Sequence, residues 1–206
     1  MNKVRIQFSK GGALRFIGHL DFLRVFLQAV RRSGLPVAYS QGFNPHILLS
    51  FALPLPLGME SICDYADLVF EKPLDWGKAA EKLQAHAPGG LKILQMRETA
   101  GRGAAAVVAA ADYTLEGTPA TDLLAAETII IPKKTKSGTK DTDIRPDIFD
   151  ITTQADKITM RLAAGSARFI NPQLVAGILL GREVAACEIK RVELYERIGE
   201  GFAPLL

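Results

Sequence analysis

Two histidines, an aspartate and an arginine gather in one part of this chain. They lie in Arg15-Phe16-Ile17-Gly18-His19-Leu20-Asp21-Phe22-Leu23-Arg24 and, after a gap, in Gln41-Gly42-Phe43-Asn44-Pro45-His46. Imidazole donates, accepts or carries a proton near neutral pH. Brought together, His19 and His46 would suit acid–base cleavage of RNA or ligation of a metal. Two histidines and one aspartate are a minimal set for either, and no spacing here matches a metal site, a catalytic triad or a phosphate loop. The sequence thus places a site without naming its reaction. His19, Asp21, Arg24, Phe43, Asn44 and His46 are the candidate binding residues, and His19 and His46 the catalytic ones if the chain is an enzyme. Phe43 could stack on a base, but an aromatic in a turn more often anchors into a core.

A second concentration of charge runs from Pro132 to Arg145, with five basic residues (Lys133, Lys134, Lys136, Lys140, Arg145) against Asp141 and Asp143. Such a loop neutralises phosphates by counterion release. It serves equally as the solvated tip of a hairpin. Lys133, Lys134, Lys136 and Arg145 complete the candidate binding set. No metal ligands are assigned.

Elements must position these residues, and their order is read from periodicity. Val4 to Ser9 alternates as a strand, and His19 to Arg32 forms a helix. Leu20, Leu23, Leu27 and Val30 lie on one face of that helix, with Asp21, Arg24, Gln28 and Arg31 as a polar stripe opposite. Gly34 and Pro36 stop it. A broken strand surrounds the Gly42–Pro45 turn, Tyr65 to Glu71 is extended, Asp75 to His86 is helical and Leu91 to Met96 closes the unit. Leu53-Pro54-Leu55-Pro56-Leu57-Gly58 reads as a rigid buried connection or groove wall. After a soft stretch from Ala100, the pattern repeats. Val107 to Leu115 is a strand, Pro119 to Ala126 a helix and Thr128 to Pro132 extended. Ile148 to Thr153 and Lys157 to Ala163 form a hairpin, Asn171-Pro172 opens a helix ending at Gly181, and Cys187 to Tyr195 is a last strand.

Two successive βαββαβ patterns predict an α+β chain of tandem ferredoxin-like units with antiparallel sheets. The units span residues 1–98, with the His/Arg motif, and 105–206, with the inserted basic loop. One α+β domain with a continuous sheet is the alternative. With 206 residues, 48% of them apolar and 23% charged, the chain has an ordinary globular composition. Cys63 and Cys187 are far apart, so they give neither a disulfide framework nor a cysteine-ligated cluster. No cofactor is expected. The alternating start Met1-Asn2-Lys3-Val4-Arg5-Ile6 and the lack of a long apolar run predict a cytoplasmic chain without a membrane partner. A net charge of +3 requires any nucleic-acid binding to use a local patch.

The combination of Arg-Phe-x-Gly-His-Leu-Asp-x-x-Arg with Gly-Phe-Asn-Pro-His, and of Lys-Thr-Lys-x-Gly with Asp-Ile-Arg-Pro, resembles the radical-SAM-associated domain family of unknown function. The resemblance covers most of the chain. His19, Asp21, Arg24 and Gly42 to His46 fall on that family's first motif; Lys133, Lys134, Lys136, Gly138, Asp143, Ile144 and Arg145 fall on its second. One departure is Ile47-Leu48-Leu49, where the family tends to continue with proline and lysine. The resemblance implies a radical SAM protein as partner and an RNA-linked setting. The expected function is therefore an accessory RNA-binding or substrate-presenting module in transfer or ribosomal RNA modification, without catalytic activity of its own. Two other classes compete with it: a metal-independent endoribonuclease of tandem ferredoxin-like type, using His19 or His46, and a pure protein-docking domain.

Overall fold

In a computed structural model, which describes residues 1–135 and 138–206, the chain folds around one nine-stranded sheet. The first half runs β1 (Asn2–Lys10), α1 (His19–Ser33), β2 (Leu49–Phe51), β3 (Glu60–Phe70), α2 (Trp76–Gln84) and β4 (Leu91–Glu98). It continues through a short helix, α3 (Ala104–Val107), into β5 (Val108–Glu116). A separate two-stranded hairpin, β6 (Ile130–Thr135) and β7 (Gly138–Asp143), precedes β8 (Ile148–Gln154) and β9 (Lys157–Ala163). Then come α4 (Pro172–Leu180), β10 (Lys190–Ile198) and β11 (Gly201–Pro204).

The strands lie in the order β4-β1-β3-β10-β5-β9-β8, with β2 on β3 and β11 on β10. All pairings are antiparallel except β3 with β10, where Glu60 and Ser61 face Lys190 and Arg191. β3 is shared along its length: its far end takes β2, with Leu49 opposite Leu68, and its near end takes β10. The fold is therefore a mixed α/β structure with one continuous, mostly antiparallel sheet.

Two apolar cores pack on the sheet. Val4, Ile6 and Phe8 of β1, Phe22, Phe26 and Val30 of α1 and Leu68 of β3 belong to one. Tyr113 of β5, Met160 of β9, Val175 and Leu179 of α4 and Leu194 of β10 belong to the other. The buried face of α1 is Phe22-Phe26-Ala29-Val30-Ser33; of the row expected from spacing Val30 is buried, Leu23 and Leu27 are half-buried, and Leu20 is exposed. The reason is volume: Phe22 and Phe26 close on Phe8 at ring separations of 5.8 and 5.4 Å, which turns the helix so that the aromatic rows face the sheet. The polar stripe of Asp21, Arg24, Gln28 and Arg31 is exposed as expected. Gly34 takes the left-handed conformation, φ 59°, that ends α1.

The expected helix over Pro119 to Ala126 does not form. The Asp122 carboxylate accepts from the backbone N–H groups of Leu124 and Ala125, and Ala120 N–H donates to the Leu179 carbonyl of α4. These bonds take donors and spacing that a helix would need. The stretch from Ala100 is not soft either. Arg5 donates to the Arg102 carbonyl, and the Ala104 N–H to the Asp67 carboxylate. Asn171 caps α4 by accepting from the Gln173 N–H, as its Asn-Pro start predicts. Among the described residues no helix is long and apolar enough to cross a membrane.

Candidate functional site

Gly18 is extended and supplies no side-chain cap, so α1 begins with bare backbone donors beside His19. The His19 ring stands edge-on to Phe51 at 5.6 Å, and Phe51 in turn packs on Phe8, Phe22 and Phe26. Behind His19 is a cavity of about 10 Å³, lined by Phe8, Lys10, Phe22, Phe51 and Asp64 among others. That is room for about one water or the tip of a small group.

The floor of this crevice is charged. Lys10 is only 2% exposed, donates to the Ile17 carbonyl at 3.3 Å, and sits 4.6 Å from the Phe22 ring centre. Burial lowers its pKa below the usual lysine range; Arg191 adds to the shift and Asp64 opposes it. Asp64 and Arg191 are themselves buried and ion-paired, and Arg191 also donates to the Leu53 and Pro54 carbonyls. Two buried cations thus lie near one carboxylate, which among the described residues is ion-paired with Arg191 alone, and the crevice favours an acceptor or anionic group over a cation.

The other residues of the first motif are arranged differently. Asp21 and Arg24 form an exposed ion pair at 2.7 Å on the first turns of α1. Ser40 and His46 close the intervening loop: Ser40 Oγ lies 2.8 Å from His46 Nδ1 and accepts from the His46 N–H, and the Ser40 N–H donates to the His46 carbonyl. Phe43 and Asn44 sit at the loop's tip, with Phe43 fully exposed rather than anchored in the core. Among the described residues no hydrogen bond or ring contact joins His19 to His46. His19 belongs to the crevice, and His46 fastens its own loop.

The second motif lies on and just beyond the β6–β7 hairpin and packs on the other core through Ile144. Its register sets Lys133 opposite Lys140 and Lys134 opposite Thr139. Lys136 lies outside the described residues, and Lys133 and Lys134 are placed by backbone register alone. Arg145, expected to bind phosphate, directs its guanidinium at carbonyls: Ala126 at 3.1 Å, Ile148 at 2.8 Å and Leu124 at 3.0 Å. Asp143 accepts from the Ile129 and Arg145 N–H groups, and these bonds hold its carboxyl below the usual range. Asp143 and Arg145 therefore build the base of the hairpin.

Sequence reasoning missed Lys10, Asp64 and Arg191. A signal existed in the two aspartates, Asp64 and Asp67, inside the strand Glu60–Phe70, where buried strand positions are ordinarily apolar. Their partners, Arg191 and Arg5, are 127 and 62 residues distant, beyond any local pattern. Among the described residues no group of three or more His, Cys, Asp or Glu converges as a metal site would require.

Residues 3–172 match a protein family described as an uncharacterized protein conserved in bacteria, DUF2344. No curated protein matches the chain.

Proposed function

The chain belongs to DUF2344, a family of uncharacterized proteins conserved in bacteria, and from that premise we propose that it is an accessory module that binds RNA and presents it to a radical SAM enzyme in transfer or ribosomal RNA modification. The observation that carries the reading is the hairpin. It is a two-stranded ribbon separate from the main sheet, and its register sets lysine against lysine, Lys133 opposite Lys140. Like charges directly opposite one another destabilise a ribbon. A polyanionic backbone laid along it would relieve that repulsion and release counterions.

Within this reading the two halves are ferredoxin-like units. The pairing orders β4-β1-β3-β2 and β10-β5-β9-β8 support this, since each half repeats the same sequence of neighbours. The first unit would carry the docking face for the enzyme. Phe16, Leu20 and Leu57 are large exposed apolar residues around the start of α1. The Gly58 N–H bond to the Arg15 carbonyl holds the loop of Leu57 beside Phe16. Apolar groups concentrated around a motif otherwise polar suit a protein contact.

The test is binding to bulk cellular RNA over a salt titration, comparing the wild type with K133A/K134A/K136A and with H19A/H46A. Salt-sensitive binding whose log–log slope becomes shallower by about 2 in the lysine variant, at roughly 0.7 per lost single-strand phosphate contact, supports the module. Equal binding by the lysine variant would overturn it. RNA fragments that form without metal and vanish in H19A/H46A would replace it with an endoribonuclease.

A further inference from the structure

A second cationic feature lies far along the chain from the hairpin, where α1 ends against α2. There Gly34, Leu35, Pro36, Lys72, Leu74, Asp75, Lys78, Ala79 and Lys82 line a cleft of about 460 Å³. That volume falls in the range of small-molecule sites. The floor is apolar, with Leu35, Pro36 and Leu74 half-buried and Ala79 buried. The rim carries three lysines and one aspartate. Lys78 and Lys82 follow one another at a helical interval of four on α2, so both project from the same side. Lys72 comes from the segment before it. The Lys82 ammonium reaches α1, lying 3.9 Å from where a Cβ on Gly34 would stand.

A structural account of these lysines leaves charge over. The carbonyl end of a helix carries about half a negative charge, and Asp75 adds one. The Asp75 carboxylate is already engaged with the Gly77 and Lys78 N–H groups and is 3.9 Å from the Lys78 ammonium. Against roughly one and a half negative charges stand Lys72, Lys78 and Lys82; Arg31 and Arg32, in the last turn of α1, do not line the cleft and add nothing to this sum. Glu71 and Glu81, the nearest other acids in sequence, do not line the cleft.

We infer that the cleft between the end of α1 and the face of α2 binds a nucleotide, its phosphate held by Lys72, Lys78 and Lys82 and its base or sugar lying on Leu35, Pro36 and Leu74. The same chemistry is offered by a free mononucleotide and by a nucleotide within RNA. The inference does not depend on the hairpin's role. If RNA does run over the hairpin, the cleft is a second point of contact on the first half of the chain.

The experiment uses the full chain as wild type, as K72Q/K78Q/K82Q and as a hairpin variant, K133Q/K134Q/K140Q. The probes are AMP and a labelled twelve-nucleotide oligouridylate, both followed by amide NMR shifts, and the oligouridylate also by anisotropy across salt. Equal melting temperatures show that the variants fold. AMP shifts at Gly34, Leu74, Lys78 and Lys82 that disappear in the cleft variant and persist in the hairpin variant assign a free-nucleotide site. Shifts confined to the oligonucleotide, with a salt slope shallower by about 2 in the cleft variant, assign an RNA contact. If neither probe moves the cleft amides, or the cleft variant binds both probes as the wild type does, the inference is overturned. Oligonucleotide binding that depends on the hairpin alone would overturn it while leaving the RNA module intact.

Discussion

Arg191 of β10 and Asp64 of β3 form an ion pair at the join between the two halves of the sheet, and neither side chain is more than 4% exposed. It crosses beside the parallel pairing of β3 with β10, where Ser61 faces Arg191. The guanidinium is held from two further directions by the Leu53 and Pro54 carbonyls. The proline-containing connection before β3 is thus tied down by a buried arginine, but it is not the buried connection its composition suggested, since Pro54 and Leu57 are exposed.

Removing the carboxylate leaves Lys10 and Arg191 buried without an anion. Asp64→Ala should cost about 3–5 kcal/mol of unfolding free energy, as breaking a buried ion pair from one side does. Asp64→Ala combined with Arg191→Met should recover part of the loss, because the second change removes a stranded charge. Urea unfolding of both variants checks this. A double variant no more stable than Asp64→Ala would show that the pair's electrostatics do not govern the join.

The same pair marks what was legible in the sequence. His19–Ser33 was readable as a helix with Gly34 as its end, and Asn171-Pro172 as the start of α4, because caps and periodicity are local. Which face of α1 turns inward was not, since both leucine and phenylalanine rows have helical spacing and the sheet chose the aromatics through Phe8 and Phe51. The stretch around Asp122 carried helix-like residues but lost its amides to a carboxylate and to α4. At the candidate site, the exposed polar stripe of α1 was readable, whereas Lys10, Asp64 and Arg191 meet only through the pairing of distant strands. Arg145 was readable as a charge and not as a clamp, because its three carbonyl partners come from the loop between β5 and β6 and from the start of β8.

The two cysteines should differ in reactivity. Cys63 is buried, and burial pushes its thiol up to about 12, with the Glu193 carboxylate adding to the rise. Thiolate is the reacting form, so Cys63 is both shielded and protonated at ordinary pH. Cys187 is exposed. Iodoacetamide at pH 8 should modify the native protein once, at Cys187, and a second time only after unfolding. Peptide mass spectrometry reads the sites, and rapid native labelling of Cys63 would contradict the packing around Tyr65 and Glu193.

The base of the hairpin should respond to acid through Asp143. Its carboxyl accepts from the Ile129 and Arg145 N–H groups, and these bonds lower its pKa from the model-peptide value of 3.8. A carboxylate with a depressed folded value contributes its full stability above 3.8 and loses it as pH falls through the folded value. The hairpin should therefore stay anchored down to pH 3.8 and loosen only below it. The Ile129 amide shift, followed by NMR from pH 6 to 2, should titrate with a midpoint under 3.8. Asp143→Asn should abolish that titration, and Arg145→Ala should disturb the Leu124, Ala126 and Ile148 amides while leaving the salt slope of RNA binding unchanged, since its guanidinium serves carbonyls and not phosphate. A slope that becomes shallower in Arg145→Ala would instead put Arg145 on the RNA.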